Sequence, residues 1–199
     1  SYSFRQKLSQ NAFSLTAYYD AMVSNWMLDN ITGVKPRRFS ISAALSQDLR
    51  YGENPHQSAS FFLDENLQVG IGASNQIQGK KLSYNNINDT DAALELVNEF
   101  PQNDGAAAVI VKHANPCGVG VANSLVEAYR SAFSCDKTSA FGGIVALNCI
   151  IDEESAREII KVFTEVVIAP GITEGARKIF SSKSNLRLLI TKKSSDQAC

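Results

Sequence analysis

Lys112 and His113 stand side by side at the end of an apolar run in the stretch AAAVIVKHANPCGVG, Ala106 to Gly120. An imidazole can take a proton from an attacking amine or water, and a neighbouring ammonium stabilises an oxyanion as it develops. Together they are equipment for acyl transfer. A lysine also ends a strand simply to reach water, with the next histidine capping a carbonyl, so the surroundings must decide. Asn115-Pro116 follows and turns the chain, and Gly118 and Gly120 would let backbone approach a ligand. Asn115 is counted among the substrate contacts. Arg50 and Tyr51 offer a planar fork and a hydroxyl to a phosphate, although Gly52, Asn54 and Pro55 also make this a polar turn. In SAFGG, Ser139 to Gly143, Phe141 could stack on a planar ring while the amides of Gly142 and its neighbour hydrogen-bond it. A tight turn is the plainer account. Glu165 is either a helix-end charge or an acceptor for a carboxamide or amine.

His113, Pro116 and Cys117 suggest the zinc deaminase signature, H-x-E followed by P-C-x-x-C, but the match fails where it matters. Asn115 stands in place of the proton-shuttling glutamate and Gly120 in place of the last cysteine. No zinc is expected. Cys117, Cys135, Cys149 and Cys199 form no C-x-x-C pair and read as reduced thiols. With 199 residues, 44% of them hydrophobic, the chain can bury a proper core. A formal net charge of -1, with both signs dispersed, provides no basic surface for nucleic acid or anionic membrane. No apolar run approaches the roughly 20 residues of a membrane span, and the first residues lack a signal-peptide pattern, so a cytoplasmic location is expected.

The positioning elements follow from periodicity. Leu8, Ala12, Leu15, Tyr19, Met22, Val23 and Trp26 recur at helical spacing and predict a helix over 5–28, stopped by Gly33 and Pro36. It is either a domain's first element or a linker. Two β-like runs, 39–49 and 59–63, flank the Arg50 turn. QGKKLSYNNIN over 78–88 reads as a loop, with Asp89 or Thr90 capping a helix that buries Ala93, Leu94, Leu96, Val97 and Phe100. The run 106–111 lacks alternation and predicts a strand buried on both faces, as in parallel sheets, with Lys112 and His113 at its carboxyl end, where α/β ligand crevices lie. Ser124-x-x-Glu127, Asp152 and Thr173 then open three helices, to Phe133, Phe163 and Phe180, alternating with strands at 144–147, 166–169 and 186–190. The pattern is α/β, a largely parallel or mixed sheet covered by helices.

Taken together, RYGENPHQ at 50–57, LSYNNIND at 82–89, VKHANPCGVG at 111–120, TSAFGGIVALN at 138–148 and VVIAPGI at 166–172 resemble one family. It is the 5-aminoimidazole-4-carboxamide ribonucleotide (AICAR) formyltransferase that is joined to IMP cyclohydrolase in purine biosynthesis. The resemblance implies a three-layer, cytidine-deaminase-like fold without zinc, and formyl transfer from 10-formyltetrahydrofolate to the 5-amino group of AICAR. It makes Lys112 and His113 the catalytic pair, with Arg50 and Tyr51 at the nucleotide. Gly142 and Glu165 would lie near the base with Phe141 alongside. It implies residues 1–36 as an opening or linker helix and 37–199 as the first half of the formyltransferase domain. The cyclohydrolase domain and the second half, with its folate contacts, would lie elsewhere in the intact protein, a homodimer, and this part would be inactive alone. The competing expectations are a non-catalytic α/β module that grips a nucleotide phosphate, and another folate- or nucleotide-dependent acyl transfer.

Overall fold

The computed structural model describes residues 1–32, 37–64 and 69–191, and two compact units divide it: Ser1–Gln47 with Phe61–Asn66, and Asp48–Ser60 with Leu67–Cys199. Helix α1, Tyr2–Met27, opens the first unit, with the Ser1 hydroxyl accepting from the Phe4 amide at 3.3 Å, and a single π turn over Leu28–Thr32 continues it. None of its residues is buried, and Leu8, Leu15, Tyr19 and Trp26 of its apolar stripe stand exposed. The predicted stops Gly33 and Pro36, like Cys199, lie outside the described residues. Strands β1, Ala44–Asp48, and β2, Ser60–Leu63, pair as a short ribbon. They are the paired cores of the two predicted runs, the first trimmed by five residues to begin at Ala44.

In the second unit a sheet is built from β3, Asn75–Gln78; β4, Ala106–Lys112; β5, Asn115–Ala122; β6, Gly143–Leu147; β7, Thr164–Ala169; and β8, Arg187–Ile190. Its order among the described residues is β3-β8-β7-β6-β4-β5. Helices α2, Tyr84–Asn98, α3, Leu125–Cys135, α4, Glu153–Ile159, and α5, Glu174–Phe180, complete it. Alternation in β4 divides the core. Ala106, Ala108 and Ile110 pack with Tyr129 of α3, Ile159 of α4 and Phe180 of α5, whereas Ala107, Val109 and Val111 pack with Ala93, Leu94 and Val97 of α2. The result is three layers, helix, sheet, helix. The three predicted caps are in place: the Ser124, Asp152 and Thr173 side chains accept from the third helical amide of α3, α4 and α5.

Strand direction departs from the parallel expectation for β4, which runs antiparallel to both neighbours. Its two-faced burial comes from helices above and below, and that says nothing about which way the adjacent strands run. β6, β7 and β8 are mutually parallel, and β5 runs their way because both it and β6 oppose β4. Every helical connection therefore joins strands of one direction, including α2 between β3 and β4. Among the described residues of this sheet the single reversal is the hairpin between β4 and β5, and it makes the sheet mixed.

Two features of that hairpin correct the sequence reading. Asn115-Pro116 does not turn the chain: these are the first residues of β5, an edge strand, where a proline without an N–H is tolerated. The reversal falls on His113 and Ala114, at φ 54° and 55°. Gly118 and Gly120 serve the core and not a ligand. A Cβ on them would stand 2.0 Å from the Ala132 carbonyl oxygen and 2.2 Å from that of Ala128, so they let α3 lie directly on β5.

Candidate functional site

α2 begins earlier than expected. Ser83 is its cap, in a reciprocal box: the Ser83 hydroxyl accepts from the Asn86 amide and the Asn86 side-chain oxygen accepts from the Ser83 amide, both at 3.2 Å. Asp89 thus lies inside the helix and is free for other work. Its Oδ1 accepts from the Ala114 amide at 2.9 Å and its Oδ2 from the His113 amide at 3.3 Å.

Lys112 ends β4, half-buried, and its Nζ donates to the Phe141 carbonyl at 2.9 Å. His113 is exposed in the hairpin turn. Asn115 is occupied within the protein, since its Nδ2 donates to the His113 carbonyl at 2.7 Å. Phe141 and Phe163 have ring centroids 5.3 Å apart. The Gly142 amide, at φ 74°, donates to the Phe163 carbonyl at 2.7 Å. A side chain at Gly142 would be strained in that left-handed conformation. Asp136 shapes the preceding turn, accepting from the Thr138 and Ser139 amides and the Ser139 hydroxyl. Those bonds, the hydroxyl's first, hold its carboxyl below the usual value. Cys117 nearby has its thiol pushed up, chiefly by burial and then by Asp136, against the lowering influence of Lys112.

The second cluster surrounds Glu165. Its Oε2 accepts from Asn86 Nδ2 at 2.7 Å and pairs with Arg187 Nη1 at 3.6 Å. Arg187 is buried, 9% exposed, and its Nε donates to the Lys81 carbonyl at 3.2 Å. Burial first lowers its pKa, with Glu165 opposing that and the positive charge of Arg50 adding to it. Arg50 is therefore within electrostatic reach of Arg187. It lies over the Tyr51 ring, 4.8 Å to the centroid, and donates to the Tyr51 hydroxyl at 3.0 Å. Asn85 Nδ2, donating to the Glu53 carbonyl at 3.3 Å, ties this turn to the start of α2.

Register explains the common address. Gly143 pairs with Thr164, Val166 with Arg187 and Val111 with Ile144, so all these groups lie at one edge of the sheet. That edge is the carboxyl end of β4, as expected, but the amino end of β6, β7 and β8, because β4 is reversed. Lys112, His113, Asn115, Phe141 and Gly142 form one cluster; Arg50, Tyr51 and Glu165 form the other, with Arg187. α2 touches both, through Asp89 and Asn86. A cavity of about 300 Å³ lined by residues 160–164 and 182–186 adjoins them at Phe163, and neither Lys112, His113 nor Arg50 lines it. Among the described residues no group of three or more His, Cys, Asp or Glu side chains is placed to hold a metal ion. No described helix is long and apolar enough to cross a membrane.

Asn86, Asp89 and Arg187 were absent from the sequence-derived site. Only LSYNNIND, as a motif, pointed at the first two, and Arg187 resembles any charge at a strand start.

A helix-covered mixed sheet with an ammonium, an imidazole, two guanidinium groups and a carboxylate along one edge makes this an α/β domain. More narrowly, the chain belongs to the AICARFT/IMPCHase bienzyme family, whose profile matches residues 1–199. It is 59% identical over 191 residues to the bifunctional purine biosynthesis protein PurH of Ruegeria sp. (strain TM1040), an alignment covering 96% of this chain and 36% of the relative. The proteins of that name from Ruegeria pomeroyi and Roseobacter denitrificans are each 58% identical, over 191 and 190 residues, with the same coverage. The chain thus spans 36% of the length of these relatives.

Proposed function

We propose that this chain is the first half of an AICAR formyltransferase domain, within a cytoplasmic bifunctional purine biosynthesis enzyme that works as a homodimer. The observation that carries the reading is the single sheet edge on which Lys112, His113, Gly142 and Glu165 gather, with Arg50 in electrostatic reach of the Glu165 partner Arg187. In this reading the Arg50 guanidinium and Tyr51 hydroxyl hold the nucleotide phosphate. Glu165 accepts from the carboxamide. The His113 imidazole takes the proton released as the 5-amino nitrogen bonds to the formyl carbon, and the Lys112 ammonium stabilises the oxyanion. The formyl group comes from 10-formyltetrahydrofolate: the amine adds to its formyl carbon to give the tetrahedral oxyanion, and on collapse the bond to N10 breaks, N10 takes up the proton held by His113, and tetrahydrofolate leaves. The same proposal places the folate contacts in the second half of the domain and expects this chain to be inactive alone.

Lys112→Met and His113→Ala in the full-length protein test this, with formyl transfer between 10-formyltetrahydrofolate and AICAR as the readout. The expected loss in kcat is about 100- to 10,000-fold for His113→Ala, without change in melting temperature. Turnover retained in both variants would leave a nucleotide-holding module as the better account.

A further inference from the structure

We infer that Asp89 is a positioning residue for His113, a role that rests on the formyl-transfer reading of the imidazole. The two turn residues lie outside the strand ladder, which closes at Lys112 opposite Asn115. Both are left-handed without being glycine, a conformation costing about 1 kcal/mol or more per residue that persists only where the surroundings impose it. The two-residue closure between β4 and β5 demands it at both positions, and one carboxylate secures it. Asp89 gives each turn amide its own oxygen, at 3.3 Å for His113 and 2.9 Å for Ala114, in charge-assisted bonds. Asn115 completes the arrangement by donating to the His113 carbonyl. The carboxylate is itself steady, because α2 buries Ala93, Leu94 and Val97 against the sheet. The same helix holds Glu165 through Asn86, so one rigid element sets the imidazole's backbone and the carboxylate near the base in a common frame. A proton acceptor displaced by about 1 Å loses on the order of 100-fold in rate, so a clamp on its backbone acts on kcat and leaves ligand grip alone.

The test is a double-mutant cycle in the full-length enzyme with Asp89→Ala, His113→Ala and the pair. Asp89→Ala is expected to lower kcat about 100-fold with the KM for AICAR within about threefold of wild type. Added to His113→Ala it should change kcat by less than about twofold, because the group it positions is already gone. A wild-type kcat in Asp89→Ala, or an undiminished further loss in the double variant, overturns the proposal while leaving the catalytic reading of His113 intact. A wild-type kcat in His113→Ala sinks that reading itself, and is seen before Asp89 is altered. A second measurement stands without activity: hydrogen exchange of the 111–116 segment in Asp89→Asn. Faster exchange at the His113 and Ala114 amides is expected, and exchange unchanged from wild type overturns the clamp.

Discussion

The two clusters at the sheet edge are held in different ways. Glu165 and Arg187 project from regular strands in parallel register, and their partners are an amide from α2 and a backbone carbonyl. Lys112 ends the ladder opposite Asn115, and His113 sits on the two-residue reversal beyond it, where the side chains of Asp89 and Asn115 supply the bonds. A residue held by register inherits its place from many weak contacts. One held by a strained turn depends on a few strong ones, which is how a site keeps a reactive group accessible and still placed.

Perturbing each side separates the two. The largest expected effect is at the outer arm of the hairpin: Gly120→Val must push α3 off β5, since even a Cβ lies 2.2 Å from a backbone oxygen, and about 3 kcal/mol of stability is lost. Thermal unfolding measures this, and a loss under 1 kcal/mol would mean that the helix does not rest on the strand as described. Arg187→Met comes next, with an expected cost of about 1 to 2 kcal/mol, kept small because the Glu165 carboxylate it abandons is 39% exposed. Denaturant midpoints check it, and Glu165→Gln on top of Arg187→Met should recover part of the loss.

Smaller still is the acid dependence of the turn beside Lys112. The Asp136 carboxyl is depressed in the folded protein, so the unfolded chain takes up its proton first. The stabilisation is present above the ordinary value near 3.8 and disappears as pH falls through the lower folded value. The melting temperatures of wild type and Asp136→Asn are therefore expected to converge below about pH 4; a constant gap from pH 7 downward would count against it. Ala114→Gly has the least effect, under about 1 kcal/mol in either direction. Relief of the left-handed strain at Ala114 is offset by the freedom glycine regains in the unfolded chain. A larger stabilisation would mean that Asp89 does less to hold the turn than its two bonds suggest.

Much of this was legible in the residues. Thr173 and Phe180 bound α5 as read, because a cap hydroxyl and an apolar period are local signals. The start of α2 was hidden by a box closed with Asn86 where a glutamate or glutamine is usual, inside a run of asparagines that looks like a loop. β5 was hidden by its proline and glycines, which strands disfavour unless an edge or a helix lies beside them, and neither is visible locally. His113-Ala114 carries none of the Asn-Gly chemistry that announces a two-residue hairpin.

The sequence by itself determined which side-chain types are on offer as candidates and that helices alternate with strands, because side-chain type and periodicity are properties of neighbours along the chain. Tertiary structure alone decided that β4 runs against the strands around it, that Asp89 reaches the turn bearing His113, and that Arg187 pairs with Glu165. Asp89 and the turn are 24 and 25 residues apart and Glu165 and Arg187 are 22 apart, so packing joins them, and the free energy of packing belongs to surfaces that meet only once the chain has folded.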